Sequence, residues 1–204
     1  MRKCCEKKRK FYLYFNVIEN TICILLFWNA NFKFTHVLKF NSCSEAILYF
    51  NIWSSSVKYS NNVKNAVFFD SGLGGEKTTI QLFDSNKQQK IDLSLFKKDI
   101  EIFVTKFVFD SKQLIIKEKV SNNFCELFAC FLACKAAIYL KYNLLLGDSS
   151  IVIFFWLLFA EQKLLKIDLM YRKMILFIRK MKKIFNIKIC YINRILNKAD
   201  LGNK

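Results

Sequence analysis

The chain of 204 residues contains no proline, five glycines, a single histidine and only five arginines. Without proline no corner is set by a locked φ and no slow X–Pro isomerisation arises, so the turns must be made by other residues. With one histidine, a Ser-His-Asp or Cys-His scheme would have to run through His36, inside "KFTHVLKF", which reads as a strand. No Cys-x-x-Cys pair occurs among the eight cysteines, which removes the usual zinc spacing. A secretory leader is lacking too. The start "MRKCCEKKRKFYLYFNVIEN" is basic, but Asn16 and Glu19 break its apolar run and no small-residue cleavage site follows. These absences point to an intracellular chain with reduced thiols that is not secreted.

What is present is equally skewed. Phenylalanine occurs twenty-two times, and lysine, asparagine and isoleucine abound. AT-rich codons spell this set, so the reading is an AT-rich genome such as that of a plastid, another organelle, an endosymbiont or a parasite. Lysine and arginine number 33 against 16 acids, a formal charge of +17 with pI near 9.6. Such a charge favours anionic partners. A hydrophobic share of 53% and mean hydropathy of +0.18 also suit a chain lying against a membrane.

Residues 11–53 read as strands joined by asparagine-rich turns: "FYLYFNVI", "TICILLFW" and "NFKFTHVLKF", with "AILYFNIW" ambiguous between strand and helix. "TTIQLF", "KIDLSLF", "DIEIFVTKFVFD" and "KQLIIKEKV" continue as β-type segments. Asp99 and Glu101, a pair that could serve a hydrolase, fall on the wet face of such a strand. The triplet Phe-Asp-Ser recurs at 69–71, 83–85 and 109–111, and aspartate bonding the backbone two residues on makes these corners of a meander.

After Val120 the period changes. "SNNFCELFACFLACKAAIYLKYNLLL" predicts a helix with Asn123 and Glu126 as a capping pair and Ala129, Ala133 and Ala137 on one close-packing face. Cys130 and Cys134, one turn apart with Cys125 nearby, read as small core hydrophobes. Gly147 would end that helix and Asp148, Ser149 and Ser150 cap the next, giving an αα-hairpin. Residues 143–160 approach the length of a bilayer span, yet Gly147, Asp148 and two serines interrupt them, and the aspartate alone costs about 2.5–3.5 kcal/mol. From 161 to 196 a stripe of Ile167, Met170, Met174, Ile178, Met181, Phe185, Ile189, Ile192 and Leu196 predicts one long helix with a possible break near Asn186.

"GLGGEKTT" resembles the phosphate-binding loop of P-loop ATPases, but Glu76 precedes Lys77 where that motif needs glycine, and the next segment reads as a strand. "FFDSGLGG" is similar to the first motif of glutamate racemases, and "ACKAAI" resembles a segment of MutL mismatch-repair proteins. Neither family's later motifs occur. The glycine cluster therefore reads as a bend.

The fold expected is α+β: an N-terminal antiparallel β-meander followed by a C-terminal α-helical hairpin ending in a long basic amphipathic helix. The division expected is a β-rich region 1–120 and a helical region 121–204 with a basic tail. The sequence names no catalytic residue, no metal ligand, no cofactor and no small-molecule ligand, and leans towards a non-enzymatic protein. The expected function is an accessory protein that binds nucleic-acid backbone without sequence specificity through Arg172, Lys173, Arg179, Lys180, Lys182, Lys183 and Arg194. Its rival is a peripheral or single-span membrane protein using the same basic segment on an anionic surface. A third expectation is a reading frame of an AT-rich genome with no selected activity.

Overall fold

The computed structural model describes residues 11–18, 21–28, 33–40, 63–72, 77–149, 152–153, 164–165, 167–192 and 194–200. The chain forms two compact units, 1–54 and 55–204. In the first, β1 (Phe11–Ile18), β2 (Thr21–Trp28) and β3 (Lys33–Phe40) make an antiparallel sheet with β2 in the middle. The two-residue connection between β1 and β2 sets Ile18 opposite Thr21, and an irregularity at Leu26/Phe27 shifts the β2–β3 register. His36 sits in β3 opposite Leu26. "AILYFNIW" lies outside the described residues.

The second unit is built on a mixed sheet. Its strands are β4 (Ala66–Ser71), β5 (Thr78–Asp84), β6 (Gln89–Lys90), β7 (Phe107–Asp110), β8 (Gln113–Ile116), β9 (Leu144–Gly147) and β10 (Lys188–Tyr191). The order across the sheet is β10-β9-β4-β5-β8-β7, with β6 paired to β5. β4 with β5, β5 with β8 and β8 with β7 pair antiparallel, while β9 pairs parallel with both β4 and β10. The expected simple antiparallel meander is thus corrected to a mixed sheet drawing strands from both sides of residue 120.

Three local departures explain the difference. "KIDLSLF" and "DIEIF" alternate like a strand but form a 3-10 turn, Leu93–Phe96, and the short helix α1, Lys97–Glu101. Asp92 caps this turn by accepting from Ser94 N at 2.9 Å, and Leu93, Phe96 and Ile100 are buried. The helix α2, Asn122–Leu140, is capped by Ser121, whose Oγ accepts from Phe124 N, in place of Asn123. It stops at Lys141, which takes a left-handed φ of 58° while Tyr142 N donates to Ala137 O at 2.8 Å. "LLLG" then forms β9, buried at every position, so the expected αα-hairpin is absent: a strand follows α2. A short run buried on both faces carries no alternation for sequence reading to detect.

The long basic helix is likewise corrected. Helix α3 spans Leu169–Ile184, with Asp168 accepting from Met170 N at 2.8 Å as its cap. Asn186, at φ 49°, turns the chain, and Ile189 and Ile192 belong to β10 and its exit. The stripe that steps by three or four residues continues through a strand by coincidence of spacing.

The sheet is covered on both sides. Ala66, Phe68, Phe83, Leu144, Leu146, Cys190, Ile192 and Ala199 form one buried cluster. Two 3-10 turns follow β10, Arg194–Leu196 and Lys198–Asp200, and the second packs on that face against β4 and β5 through Ala199. Alternation sends Val67, Phe69 and Leu145 to the other face, where α2 packs across β4, β5 and β9. α2 is long and apolar enough to cross a membrane, but most of it is buried here as the core helix of the unit. Its Phe131 meets Phe177 of α3 edge-on, with ring centroids 5.0 Å apart. Lys135 lies 4.7 Å over Phe177 and ion-pairs with Asp99 at 3.0 Å. Gly147 is required where it stands: a Cβ there would lie 2.3 Å from Cζ of Phe69, its cross-strand neighbour.

Candidate functional site

Of the glycine cluster only Gly72 is among the described residues. Gly72 N donates to Thr79 O at 2.7 Å, closing a hairpin between β4 and β5, and the segment after it is a strand. Of the three Phe-Asp-Ser corners, the second makes the expected bond from the aspartate side chain to the backbone two residues on, and the third turns by a different geometry. Asp84 Oδ1 accepts from Asn86 N at 2.8 Å, and Asp110 precedes a tight turn in which Ser111 and Lys112 both take positive φ. The first, Asp70, is 7% exposed and lies one residue inside the end of β4, whereas Asp84, 2% exposed, and Asp110 are the last residues of their strands.

Register places it. Phe69 of β4 pairs with Gly147 of the parallel strand β9, so Asp70 and Asp148 follow at the carboxyl ends of adjacent strands. Parallel strands lie about 4.8 Å apart. At this edge β4 has the antiparallel neighbour β5 on one side and the parallel neighbour β9 on the other. The first turn and a half of α2 brings Glu126 to the same edge, where the hydroxyls of Ser71 and Ser149 hydrogen-bond it. The last 3-10 turn brings Asp200. Asn197, 4% exposed, locks that turn to the sheet: its Nδ2 donates to Phe69 O at 3.0 Å and to Asp148 Oδ1 at 3.3 Å. Its own Oδ1 accepts from Ala199 N at 3.1 Å.

Four carboxylates from β4, α2, the end of β9 and the C-terminal turn therefore act on one another. Burial pushes the Asp70 carboxyl up to about 7, and the charges of Asp148, Asp200 and Glu126 push the same way. Burial likewise lifts Glu126 to about 7, with Asp148 adding to it, while the bonds from Ser71 and Ser149 oppose the rise. Asp148 is raised by burial and by Asp200, against its own backbone amide and Asn197. The cation opposing all of this is Arg194, whose Nε donates to Asp200 Oδ2 at 2.9 Å. In a chain with twice as many bases as acids, four carboxylates and one arginine at a single edge are a local reversal of sign.

The donor chemistry is that of hard divalent cations, because every candidate ligand is a carboxylate oxygen. As the side chains stand, no three His, Cys, Asp or Glu groups among the described residues are gathered closely enough to hold one ion. Asp200 is turned onto Arg194 and Asp148 onto Asn197.

The basic residues expected to meet an anionic partner are divided by the fold. Arg172, Lys173, Arg179, Lys180, Lys182 and Lys183 lie on α3, whose Met174, Ile175 and Ile178 face the core. Lys173, Lys180, Lys182 and Lys183 are exposed. Arg194 is separate from them and binds a carboxylate of its own chain. Asp99 and Glu101 sit on α1 in ion pairs with Lys135 and Lys97. The thiols of Cys125, Cys130 and Cys134 are buried and raised by burial, as core packing implies.

Sequence reading missed the acidic set because each member had an ordinary local explanation: Asp70 as a corner, Glu126 and Asp148 as helix caps, and Asp200 as an unremarked tail residue. One signal could have found it. "AVFF-D" and "LLLG-D" are wholly apolar runs that each end in aspartate, as two buried parallel strands reaching the same sheet edge would.

No protein-family model matches the chain. No curated protein matches it. Among solved structures it is similar to the crystal structure of RNase H1 from the halophilic archaeon Halobacterium salinarum NRC-1. The identity is 16%, the match covers 66% of this chain and 89% of that chain, and the TM-score is 0.36, an overlap that assigns neither family nor activity.

Proposed function

We propose that the 55–204 unit is a divalent-cation-dependent phosphodiesterase acting on nucleic acid. One observation carries this reading: Asp70 and Asp148 end the adjacent parallel strands β4 and β9, and burial raises both of them and Glu126, with the charge of Asp200 adding to the rise of Asp70 and Asp148. A set of carboxylates that repel one another has its charge best relieved by a small hard cation. Asp70 and Asp148, on adjacent strand ends, would be its primary holders, with Glu126 and Asp200 completing the set. The chemistry a bound cation supplies is Lewis-acid activation of a phosphodiester and of the water that attacks it. The chain's own residues fix the geometry. Asn197 holds Asp148 and the C-terminal turn against Phe69 O, and Ser71 and Ser149 orient Glu126.

The polyanion class follows from charge. The chain carries a net +17, and the exposed lysines of α3 suit phosphate-backbone contacts without sequence readout. The test is hydrolysis of single-stranded, duplex and RNA–DNA hybrid substrates with Mg2+ or Mn2+ present and absent. Cation-dependent cleavage that Asp70→Asn lowers by at least a hundredfold, with nucleic-acid binding retained, supports the reading. Salt-sensitive binding with no cleavage under any cation would return the protein to the non-enzymatic accessory role. Salt-insensitive retention on liposomes would favour the membrane rival, for which the exposed Leu169, Leu176 and Ile184 beside the lysines of α3 speak.

A further inference from the structure

The sheet of the 55–204 unit ends at β7, the last strand on the path β10-β9-β4-β5-β8-β7. β7 and β8 form a hairpin whose closing pair is Asp110 and Gln113, around Ser111 and Lys112. Lys117 N donates to Lys106 O at 2.7 Å, so the even-numbered residues along β7 bond to β8. By the alternation of an antiparallel ladder, the backbone N–H and C=O of Phe107 and Phe109 point away from the sheet. Among the described residues no strand takes them up. The side chains divide by the same alternation. Phe107 and Phe109 meet edge-on, ring centroids 5.6 Å apart, and line an open groove of about 640 Å3 beside Lys97 and Glu101 of α1. On the opposite face Lys106, Val108 and Asp110 are exposed, Val108 by 37%. Among the described residues neither Lys106 nor Asp110 has an ion-pair partner.

Independently of the phosphodiesterase reading, we propose that β7 is the docking edge for a second copy of this chain, which pairs with it antiparallel about a two-fold axis through Val108. Backbone geometry and charge select the same register. With Val108 opposite its own copy, Phe107 faces Phe109 of the second copy, and these are the residues whose backbone groups point outward. Four N–H···O=C bonds then join the two sheets into one. That register also sets Lys106 of each copy opposite Asp110 of the other, at the closer, non-hydrogen-bonded positions where side chains interact best. Moving the axis to Phe107 or Phe109 loses both ion pairs. An edge lysine deters strands at large. Here only an acid at the matching position lifts that barrier, and the chain itself carries one, which makes a second copy the occupant of choice. Pairing through a strand of four residues gives a small interface, so the association is weak and reversible.

Analytical ultracentrifugation of the full chain at low salt tests this by charge exchange. Wild type should show a monomer–dimer equilibrium with Kd on the order of 10–100 μM. Lys106→Glu and Asp110→Lys each set like charges opposite one another twice per dimer, and each should weaken association at least about tenfold. An equimolar mixture of the two variants restores opposite charges at every facing position and should recover dimer, as should the double variant. Hydrogen exchange on wild type gives a readout that needs no variant to fold: the amides of Phe107 and Phe109 should slow as protein concentration rises. Wild type that stays monomeric at about 200 μM, ten times the middle of that Kd range, would overturn the proposal. So would a dimer indifferent to both single substitutions, or one that the mixture fails to recover. Protection of both amides that does not change with concentration would show the edge covered by another part of the chain, and would overturn it equally.

Discussion

Asp70 illustrates how one carboxyl group links burial to behaviour in solution. Its folded-state pKa of about 7 stands above the roughly 3.9 of an unfolded chain. Between those values the folded protein binds the proton more tightly, so the stability it confers is fully present below about pH 4 and is lost as pH rises towards 7. Glu126, also raised to about 7, adds a loss of the same sign. The cation-free protein should therefore melt at a lower temperature at pH 8 than at pH 5. Asp70→Asn should raise Tm at pH 8 by about 4–8 °C, corresponding to about 2 kcal/mol in a unit of this size, and have no effect at pH 4. Mn2+ should recover the loss in wild type and not in the variant. Thermal melts at three pH values, with and without the ion, decide this; a pH-independent gap between the two proteins would contradict it. Nothing in the local sequence separates Asp70 from Asp84 and Asp110. All three follow phenylalanine and precede serine, and only the parallel neighbour β9, 78 positions away in sequence by its Asp148, makes the first one different.

Among the elements, those whose periodicity reports one buried face were legible in the sequence. β5 and β8 alternate, α2 announces itself by its length and the change of period although its caps are Ser121 and Lys141, not the ones expected, and α3 announces itself by its apolar stripe. β9 and β10 were not legible: four residues each, β9 lies between β4 and β10 and β10 is an edge strand paired to β9, so their identity is decided by tertiary contact. The same cause hid the site, since β9 is what carries Asp148 to Asp70. α3 carries a prediction of its own. Its outward lysines lie away from the Met174, Ile175 and Ile178 face, so replacing Lys173, Lys180 and Lys183 by glutamine should leave Tm within about 2 °C. Nucleic-acid affinity should fall, and the slope of log K against log salt should drop by up to about 2–3. Unchanged salt dependence would remove α3 from the contact surface, while Mn2+ affinity should be indifferent to the change either way.

For the whole molecule the decisive property is that the acidic edge belongs to one unit. All four carboxylates, Arg194 and Asn197 lie within 55–204, and the sheet that positions them has its own core on both faces. Residues 55–204 produced alone should fold cooperatively and bind Mn2+ with the affinity of the full chain, within about twofold. Loss of binding in that fragment, measured by calorimetric titration, would show that the first unit contributes to the site. Removing residues 161–204 is not an equivalent experiment for nucleic-acid contact, because it also deletes β10, Asn197 and Asp200 and so dismantles the sheet edge.

Phe69 packs directly over Gly147. The benzene ring occupies the volume that any larger residue at 147 would claim, one step before each of the two inner aspartates. A single methyl group there would lever the strand tips apart and separate the charges whose mutual discomfort the ion relieves. The distance between two acids is thus governed by an oily contact containing no polar atom, and a lesion in the hydrocarbon interior would be felt first as an altered appetite for metal.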